Sequence, residues 1–513
     1  MFWTPKGKHL GDPTIICVGA TYHLFAECRP LSWSGGTGES FAGITTVCHA
    51  VSEDLRHWRE LPVALECGAP GAFDAYSIYH MDVFLHEGRW YMFYTGLDKG
   101  GPGEQQSIGL ATSGDGLTWT KHAANPILRA DPRWYEQAIP REATYQEKDF
   151  GRLWFRDPCV VRLPDGRFGM IVTARDIRQH PDVRACLAWA VSDDLLHWEP
   201  RPPIYSPGRF HTIETPSIFE HDGRWYIQFM TAPHWGTPLL MTDPYQDAGD
   251  FYAVSTDGPE GPYHQPADEV LVAAHHHVRL GASRMVAGPD GTHWFYGWLR
   301  LATPGSPETL ETGAWQVLPL SRPVRFQPDG TPWIGFNPAG EQFYQPARPW
   351  TPATTMPVSA WQGGDPIRGK SFAVPAYALG AGAGNDLIFS TTIEFRRGAR
   401  AGCLLRYDPA AGRGLQILAD RRRGRIELGV AGEPLFIDAR QWMPRERFNL
   451  KVVAWQANIE VYVDDRLMIQ QACPAGLSGT AGLLVEEAEA VFYEPRLLDA
   501  KIDKGSPEAR HEP

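Results

Sequence analysis

Three acidic residues stand at equivalent places in the sequence, each at the start of a short apolar segment. Asp12 opens DPTIICV, Asp157 opens DPCVVRL and Glu214 opens ETPSIFE. Hydrolysis of a glycosidic bond uses two such carboxyl groups, one to protonate the leaving oxygen and one to attack the sugar or activate water. Crowding of like charges raises the pKa of at least one group, which then acts as an acid near neutral pH. A single Asp before proline often only caps a turn, but three acids at equivalent positions predict a catalytic cluster.

The acids recur because their segments belong to a repeat. Each unit has an opening strand, a tight Gly turn, an aromatic-rich strand and a third strand, which in three units ends in a Ser-x-Asp turn such as Ser52–Trp58. Five copies, spaced by roughly 57 to 77 residues, are typical of radial blade repetition, and their period of two argues against a doubly wound α/β fold. We therefore predict an all-β chain with a five-bladed β-propeller, in which the three acids meet in one funnel. The opening strands are Asp12–Val18, His80–His86, Asp157–Leu163, Glu214–Glu220 and Gly281–Ala287.

Changes in composition along the 513 residues predict further regions. Such a length exceeds one hydrophobic core and favours two domains. The propeller is assigned to residues 1–326, and the Pro- and Gly-rich segment 327–365 to a linker that packs on it. Short alternating strands in residues 366–500 predict a β-sandwich. The charged residues 501–513 are expected to form a flexible tail.

Bulk properties argue against several functional classes. The net charge is −12 and no Lys/Arg cluster interleaves with aromatic residues, so nucleic acid is not an expected partner. The sequence contains no run of 18 apolar residues, so a membrane span is not expected. It also shows no secretory signal pattern, which leads us to expect a cytoplasmic location. The eight cysteines form no CxxC pair, and adjacent residues of His275–His277 would point to opposite faces of a strand. We therefore predict no metal site and no cofactor.

Several further residues near the predicted funnel are candidates for binding an oligosaccharide or glycoside. Arg156 directly precedes Asp157, so it could hold that carboxylate ionised and donate to sugar hydroxyls, or form a purely structural ion pair. An aromatic ring could stack on a sugar, and polar groups beside the acids could bind hydroxyls or only satisfy their neighbours. The candidates in addition to Arg156 are Trp33, His80, Asp82 and His211.

The motifs around the acids resemble those of the clan of glycoside hydrolase families 32 and 68, which contains invertases, levanases, inulinases and fructosyltransferases. The resemblance implies a retaining β-fructofuranosidase-like enzyme that cleaves a furanoside linkage, with transglycosylation as a further activity. It implies Asp12 as nucleophile, Glu214 as acid/base and Asp157 as transition-state stabiliser, with the two working carboxyls about 5–5.5 Å apart. The segments that carry it are Gly11-Asp12-Pro13 for the family's Asn-Asp-Pro, Arg156-Asp157-Pro158 for Arg-Asp-Pro, Glu214-Thr215-Pro216 for Glu-Cys-Pro, and Ile459–Asp465 for a late sandwich strand.

Two alternatives remain open at this point. Family 43 arabinofuranosidases and xylosidases also place Asp, Asp and Glu on blades one, three and four. They invert, with Asp12 as general base, Glu214 as general acid and Asp157 tuning its pKa, and with a wider carboxyl spacing of about 6.5–9.5 Å. The other alternative is a propeller that binds sugar without catalysis. Gly11 and Thr215 depart from the family 32 pattern at positions that shape the sugar subsite.

Overall fold

The structure, a computed structural model, consists almost entirely of antiparallel β-strands. The chain divides into two compact units between Gly335 and Phe336, inside the segment predicted to be a linker. Within the described part of the chain, no helix is long and apolar enough to cross a membrane. The described residues are 2–30, 45–98, 106–137, 153–231, 249–273, 280–301, 315–382, 384–433, 436–456, 458–474 and 476–501.

After a short N-terminal strand, β1 (Phe2–Trp3), the first unit forms four regular propeller blades. Each is a four-stranded antiparallel sheet whose strands pair in chain order. The first blade contains β2 (Lys8–Val18), β3 (Thr21–Pro30), β4 (Thr46–Ser52) and β5 (Arg59–Glu66). The second contains β6 (Ser77–His86), β7 (Arg89–Leu97), β8 (Gln106–Ser113) and β9 (Thr120–Lys121). The third contains β10 (Arg156–Arg162), β11 (Phe168–Arg175), β12 (Ala185–Ser192) and β13 (Glu199–Tyr205), and the fourth β14 (Glu214–His221), β15 (Arg224–Thr231), β16 (Gly249–Ser255) and β17 (Val270–Ala273).

The fifth repeat forms a sheet of a different kind, so the prediction of five equivalent blades needs correction. Its strand β19 pairs with β18 along one edge and with two successive strands, β20 and β21, along the other. The N-terminal strand β1 then pairs with β20. Strand β19 has nine residues, which is long enough to pair with two short strands one after the other along the same edge. The sequence repeat does not predict this second pairing. The strands are β18 (Leu280–Ala287), β19 (His293–Leu301), β20 (Trp315–Pro319), β21 (Arg322–Phe326) and β22 (Pro332–Ile334).

The inner strands of the five sheets surround a common axis. Strands β2, β6, β10, β14 and β18 contact one another in a closed ring. The three predicted acids stand near the start of β2, β10 and β14, which brings residues far apart in the sequence to one end of the axis. Aromatic and aliphatic side chains fill the space between neighbouring sheets, as Phe93 of the second blade does with Val160, Phe168 and Trp198 of the third.

The repeated Ser-x-Asp turns are held by side-chain hydrogen bonds. In the first blade, Oδ1 of Asp54 accepts from the amides of Arg56 and His57, both at 2.9 Å, and Oγ of Ser52 accepts from the amide of Asp54. Asp194 makes the same contacts with its own two following amides. An aspartate that bonds amides two and three residues ahead closes a turn locally. The local Ser-x-Asp sequence therefore determines the turn, which recurs from blade to blade.

The second unit is a β-sandwich organised by two long strands that pair with each other. β28 and β35 pair from Leu387 with Asp499 to Tyr407 with Thr480. The first part of β28 also pairs with β32 and the later part with β29. The strands are β23 (Arg348–Pro349), β24 (Thr354–Met356), β25 (Trp361–Gln362), β26 (Ile367–Ser371), β27 (Ala376–Leu379), β28 (Leu387–Asp408), β29 (Arg413–Asp420), β30 (Arg425–Val430), β31 (Phe436–Gln441), β32 (Arg447–Trp455), β33 (Asn458–Val463), β34 (Arg466–Ala472) and β35 (Thr480–Asp499). Short 3₁₀ helices span Pro181–Val183 in the first unit, and Pro338–Phe343 and Val358–Ala360 in the second.

The segment predicted to be a linker, 327–365, contains the short strands β22 to β25 and the two 3₁₀ helices of the second unit. The predicted flexible tail lies outside the described residues from position 502 onward.

Candidate active site

Each inner strand of the propeller is interrupted by a β-bulge at the same level of the axis. Asp12 and Asp157 lie inside such bulges and Glu214 stands directly before one. A bulge bends its strand and re-aims a side chain, which is why bulges are frequent beside active sites. Proline, which cannot donate to a ladder, is tolerated in a sheet at bulges and edges. The ladders shift between Leu10 and Pro13, Ile78 and Met81, Arg156 and Cys159, Glu214 and Ser217, and Gly281 and Arg284.

Three bulges hold a non-glycine residue in the left-handed backbone region. The φ angles are 62° for Asp157, 46° for Thr215 and 48° for Ala282. Such a conformation costs on the order of 1–3 kcal/mol per residue and persists only when surrounding contacts impose it. The local sequence would not adopt it alone, so the packing of the five strands determines where these acids point.

Asp12 is half-buried, and its burial and its acidic neighbours disfavour the ionised form of its carboxyl group. Burial is the largest cause, followed by the negative charges of Glu27 and Asp157, and together they raise the pKa of Asp12 to about 7. A hydrogen bond of 2.7 Å from Nε1 of Trp298 to Oδ1 of Asp12 acts in the opposite direction. A carboxyl group with this pKa exchanges its proton near neutral pH.

Asp157 is 2% exposed and is fixed by a backbone amide of the fourth blade and a side-chain hydroxyl of the second. Its Oδ2 accepts from the amide of Thr215 at 3.0 Å, and its own amide donates to Oγ1 of Thr95 at 2.9 Å. Burial raises the pKa of Asp157, while the positive charge of Arg156 and the Thr215 amide lower it. The two hydrogen bonds fix the orientation of this acid between the second and fourth blades.

Arg156 connects two of the three acids. Its Nη2 donates to Oε1 of Glu214, and its Nε lies 3.6 Å from Oδ2 of Asp157. The guanidinium also stacks on the ring of Trp154, with 3.5 Å between its central carbon and the ring centroid. The Glu214 side chain is 17% exposed, so it can reach a bound molecule. Together with the charge of Asp157 acting on Asp12, these contacts bring all three predicted acids into one site.

The other predicted binding residues have varied surroundings. Asp82 is half-buried, and its two oxygens accept from Arg284 at 3.0 Å and from the amide of Val160 at 2.8 Å, so it joins neighbouring strands while its binding of sugar stays a prediction. His80 is fully buried, and neither ring nitrogen has a hydrogen-bond partner among the described residues. Burial, with the charge of Arg284 as the second cause, lowers the pKa of His80 well below its usual value.

His211 lies in the segment that leads into Glu214. Its backbone oxygen accepts from Nη1 of Arg175 at 2.7 Å, and Nε of that arginine donates to Oε2 of Glu136 at 2.7 Å. The ring contacts Oγ1 of Thr212 at 3.1 Å. These contacts fix the chain segment that precedes Glu214. Trp33, the remaining predicted binding residue, lies outside the described residues.

Four residues at the site did not stand out in the sequence: Glu27, Arg29, Trp298 and Arg284. Glu27 is 5% exposed and accepts from Nη2 of Arg29 at 2.7 Å. Both come from the second strand of the first blade, and an added Cβ at Gly11 would collide with the Glu27 side chain. The glycine that replaces the family's asparagine before Asp12 is therefore matched to Glu27. Within the described part of the chain, no three His, Cys, Asp or Glu residues are arranged to hold a metal ion.

Comparisons with known proteins agree with this arrangement. Residues 3–257 match the profile of the glycosyl hydrolases family 32 N-terminal domain. The extracellular exo-inulinase of Aspergillus awamori is 30% identical over 224 residues, which cover 38% of this chain and 36% of that protein. The match thus spans about a third of that relative's length.

Solved structures share the fold over nearly the whole chain. Sucrose-6-phosphate hydrolase from Lactobacillus gasseri superposes with a TM-score of 0.67 at 16% identity, covering 96% of this chain and 91% of that one. Fructan 1-exohydrolase IIa from Cichorium intybus gives a TM-score of 0.66 at 14% identity, covering 97% and 96%. The family profile, the shared propeller and the three acids at its axis lead to one assignment. The chain belongs to glycoside hydrolase family 32.

Proposed function

We propose that the protein is a retaining β-fructofuranosidase-like enzyme that releases fructosyl groups from oligosaccharides. The observation that carries this proposal is the linkage of the three acids, in which Arg156 contacts both Asp157 and Glu214 while the charge of Asp157 acts on Asp12. A glycosidase of this type needs two carboxyls that flank the scissile bond and further groups that hold the sugar. The third acid and Arg156 supply such groups.

The reaction would proceed in two displacements. The Asp12 carboxylate attacks the anomeric carbon, while Glu214 transfers its proton to the glycosidic oxygen and the aglycone leaves. Glu214, now ionised, then takes a proton from water, whose oxygen attacks the anomeric carbon and releases Asp12. Asp157 and Arg156 would bind sugar hydroxyls in both steps. An acceptor sugar in place of water would give transglycosylation.

The exposure of the two reacting acids agrees with their roles, because Asp12 and Glu214 are only partly buried and can contact a substrate. Asp157 is 2% exposed and its carboxylate is held by the amide of Thr215, so its contribution to sugar binding is a prediction of the family resemblance. Asp12 must be ionised to attack, and its pKa of about 7 means that the attacking form dominates above neutral pH. We therefore expect kcat/KM to fall as the pH decreases through this region.

The names of relatives narrow the proposed substrate class. They include inulinases, a β-fructofuranosidase, a levanase and a sucrose:sucrose 1-fructosyltransferase, whose names refer to fructosides or to fructose-containing saccharides. We propose a terminal fructosyl group as the unit that this site binds.

A substrate panel with product analysis tests the proposal. Purified protein is incubated with sucrose, inulin, levan and nitrophenyl arabinofuranosides, and NMR records the first-formed anomer. We expect fructose release with retained configuration, and loss of turnover by at least about a thousandfold in Asp12→Asn. Activity only on arabinofuranosides with inverted product would replace the proposal with the family 43 type of chemistry. Sugar binding without turnover would support a binding propeller.

A further inference from the structure

Arg284, on the inner strand of the fifth sheet, contacts all four other inner strands. It is 2% exposed and follows the bulge of β18. Its Nη1 donates to Oδ1 of Asp82 at 3.0 Å and to Oγ1 of Thr14 at 3.4 Å. Its Nη2 donates to the carbonyl oxygens of Pro158 at 3.0 Å and Pro216 at 2.8 Å. One guanidinium therefore joins the five strands at the axis.

These contacts fall beside the bulges that aim the catalytic acids. The backbone is left-handed at Asp157 and at Thr215, and in each case the next residue is a proline whose carbonyl accepts from Arg284. A strained backbone needs outside contacts to hold it, and a buried carbonyl needs a donor. Arg284 provides both the outside contact and the hydrogen-bond donor. The contacted residues lie close to each acid in sequence: Thr14 two after Asp12, Pro158 next to Asp157 and Pro216 two after Glu214.

We propose that Arg284 is a positioning residue for the reaction, whose guanidinium sets the separation of the strands that carry Asp12, Asp157 and Glu214. This role rests on the proposed glycosidase function. The planar guanidinium of Arg284 presents several N–H donors at fixed angles to several acceptors, and a lysine ammonium cannot reproduce this geometry. Displacement of a reacting group by about 1 Å can cost on the order of 100-fold in rate.

The charges around Arg284 fit a buried, permanent role. Asp82 is its ion-pair partner, and the second oxygen of that aspartate is bound by the amide of Val160. The charge of Arg284 also lowers the pKa of Asp157, against the effect of burial. His80, which is also near Arg284, has a strongly lowered pKa and adds no charge there. The guanidinium thus acts through the catalytic strands and needs no contact with substrate.

The test compares Arg284→Lys and Arg284→Met with the native full-length protein and a matched control. Arg440, 1% exposed in the second unit, donates to the carbonyl of Leu467 at 3.1 Å, so Arg440→Met also removes a buried arginine. Steady-state kinetics are measured on the best fructoside of the panel, below the melting temperature of each variant. We expect kcat to fall about 100-fold in Arg284→Met with KM changed by less than about threefold. Arg284→Lys should recover only part of this loss, and Arg440→Met should keep the native kcat.

Circular dichroism and melting curves establish that each variant is folded. If Arg284→Met does not fold, Arg284→Lys decides, because it keeps the positive charge beside Asp82. A folded Arg284→Lys with kcat within about twofold of native would overturn the positioning role, as would an equal loss of kcat in Arg440→Met. An inactive native protein would overturn the proposed function and the positioning role together, so the two failures are distinguishable.

Discussion

The indole Nε1 of Trp298 donates a hydrogen bond of 2.7 Å to Oδ1 of Asp12, although 286 residues separate the two in the sequence. The bond joins the second strand of the fifth sheet to the inner strand of the first blade. A donor to the ionised form lowers the pKa of a carboxyl group. Trp298 therefore opposes the effects of burial, Glu27 and Asp157, which raise the pKa of Asp12.

Trp298→Phe should raise the pKa of Asp12 and move the acid limb of the kcat/KM profile to higher pH. A hydrogen bond to a charged group contributes about 1.5–3 kcal/mol, so kcat/KM at neutral pH should fall by about tenfold or more. The measurement is the pH dependence of kcat/KM. Trp294→Phe, on the same strand, is the control, because no hydrogen bond from Trp294 to Asp12 is present. An acid limb that stays in place in Trp298→Phe would contradict the assigned contact.

Glu27→Gln should shift the same limb in the opposite direction. The negative charge of Glu27 is the second-largest cause, next to burial, that raises the pKa of Asp12, and the positive charge of Arg29 lowers that pKa. Glutamine keeps the size of the side chain but removes its negative charge, and it leaves the charge of Arg29 uncompensated. Both changes favour the ionised form of Asp12, so the proposed activity should persist to lower pH. A limb that moves to higher pH would show that Glu27 does not act on Asp12 through its charge.

Gly11→Ala should destabilise the protein through a collision with Glu27. The new Cβ would overlap the Glu27 side chain, and overpacking of this kind costs about 1–3 kcal/mol. The same substitution in a Glu27→Ala background should cost less, because the obstructing atoms are absent. Urea unfolding of the four proteins gives the coupling energy. Gly114→Ala, where the added Cβ meets nothing within 4 Å, is the control. Equal costs in both backgrounds would refute the proposed match of Gly11 to Glu27.

Asp54→Ala should reduce stability by about 1 kcal/mol, by analogy with the loss of a helix cap, and leave kcat unchanged. Partial burial raises the pKa of Asp54, but hydrogen bonds from the amide and ring of His57 and the amide of Arg56 outweigh it and lower the pKa to about 2. Because the folded pKa is below the unfolded value of about 4, this stability is present above pH 4 and is lost as the pH falls toward 2. Urea unfolding at a series of pH values should show the difference from native shrinking in that window. A difference that stays constant there would count against the turn contacts.

The sequence alone predicted the all-β propeller, in which four of the five expected blades are regular, and the meeting of three acids at its axis, whose catalytic roles stay a prediction. Turn residues and a hydrophobic period of two are local properties, so five similar strand groups could be recognised without coordinates. The equivalent positions of Asp12, Asp157 and Glu214 in that repeat then placed them at one axis. The adjacent Arg156 followed from its place in the same motif.

Tertiary structure decided which further residues complete the site. Trp298 bonds Asp12 from the fifth sheet, Arg284 bonds residues beside the acids on other blades, and Glu27 acts on Asp12 from a neighbouring strand. The contacts of Asp82 with Arg284 and with the amide of Val160 also join separate blades, and its binding of sugar stays a prediction. The left-handed backbone at the bulges and the six-stranded fifth sheet also have no local pattern. The physical reason is that these features depend on contacts between segments distant in sequence, which stabilise conformations that the local chain disfavours.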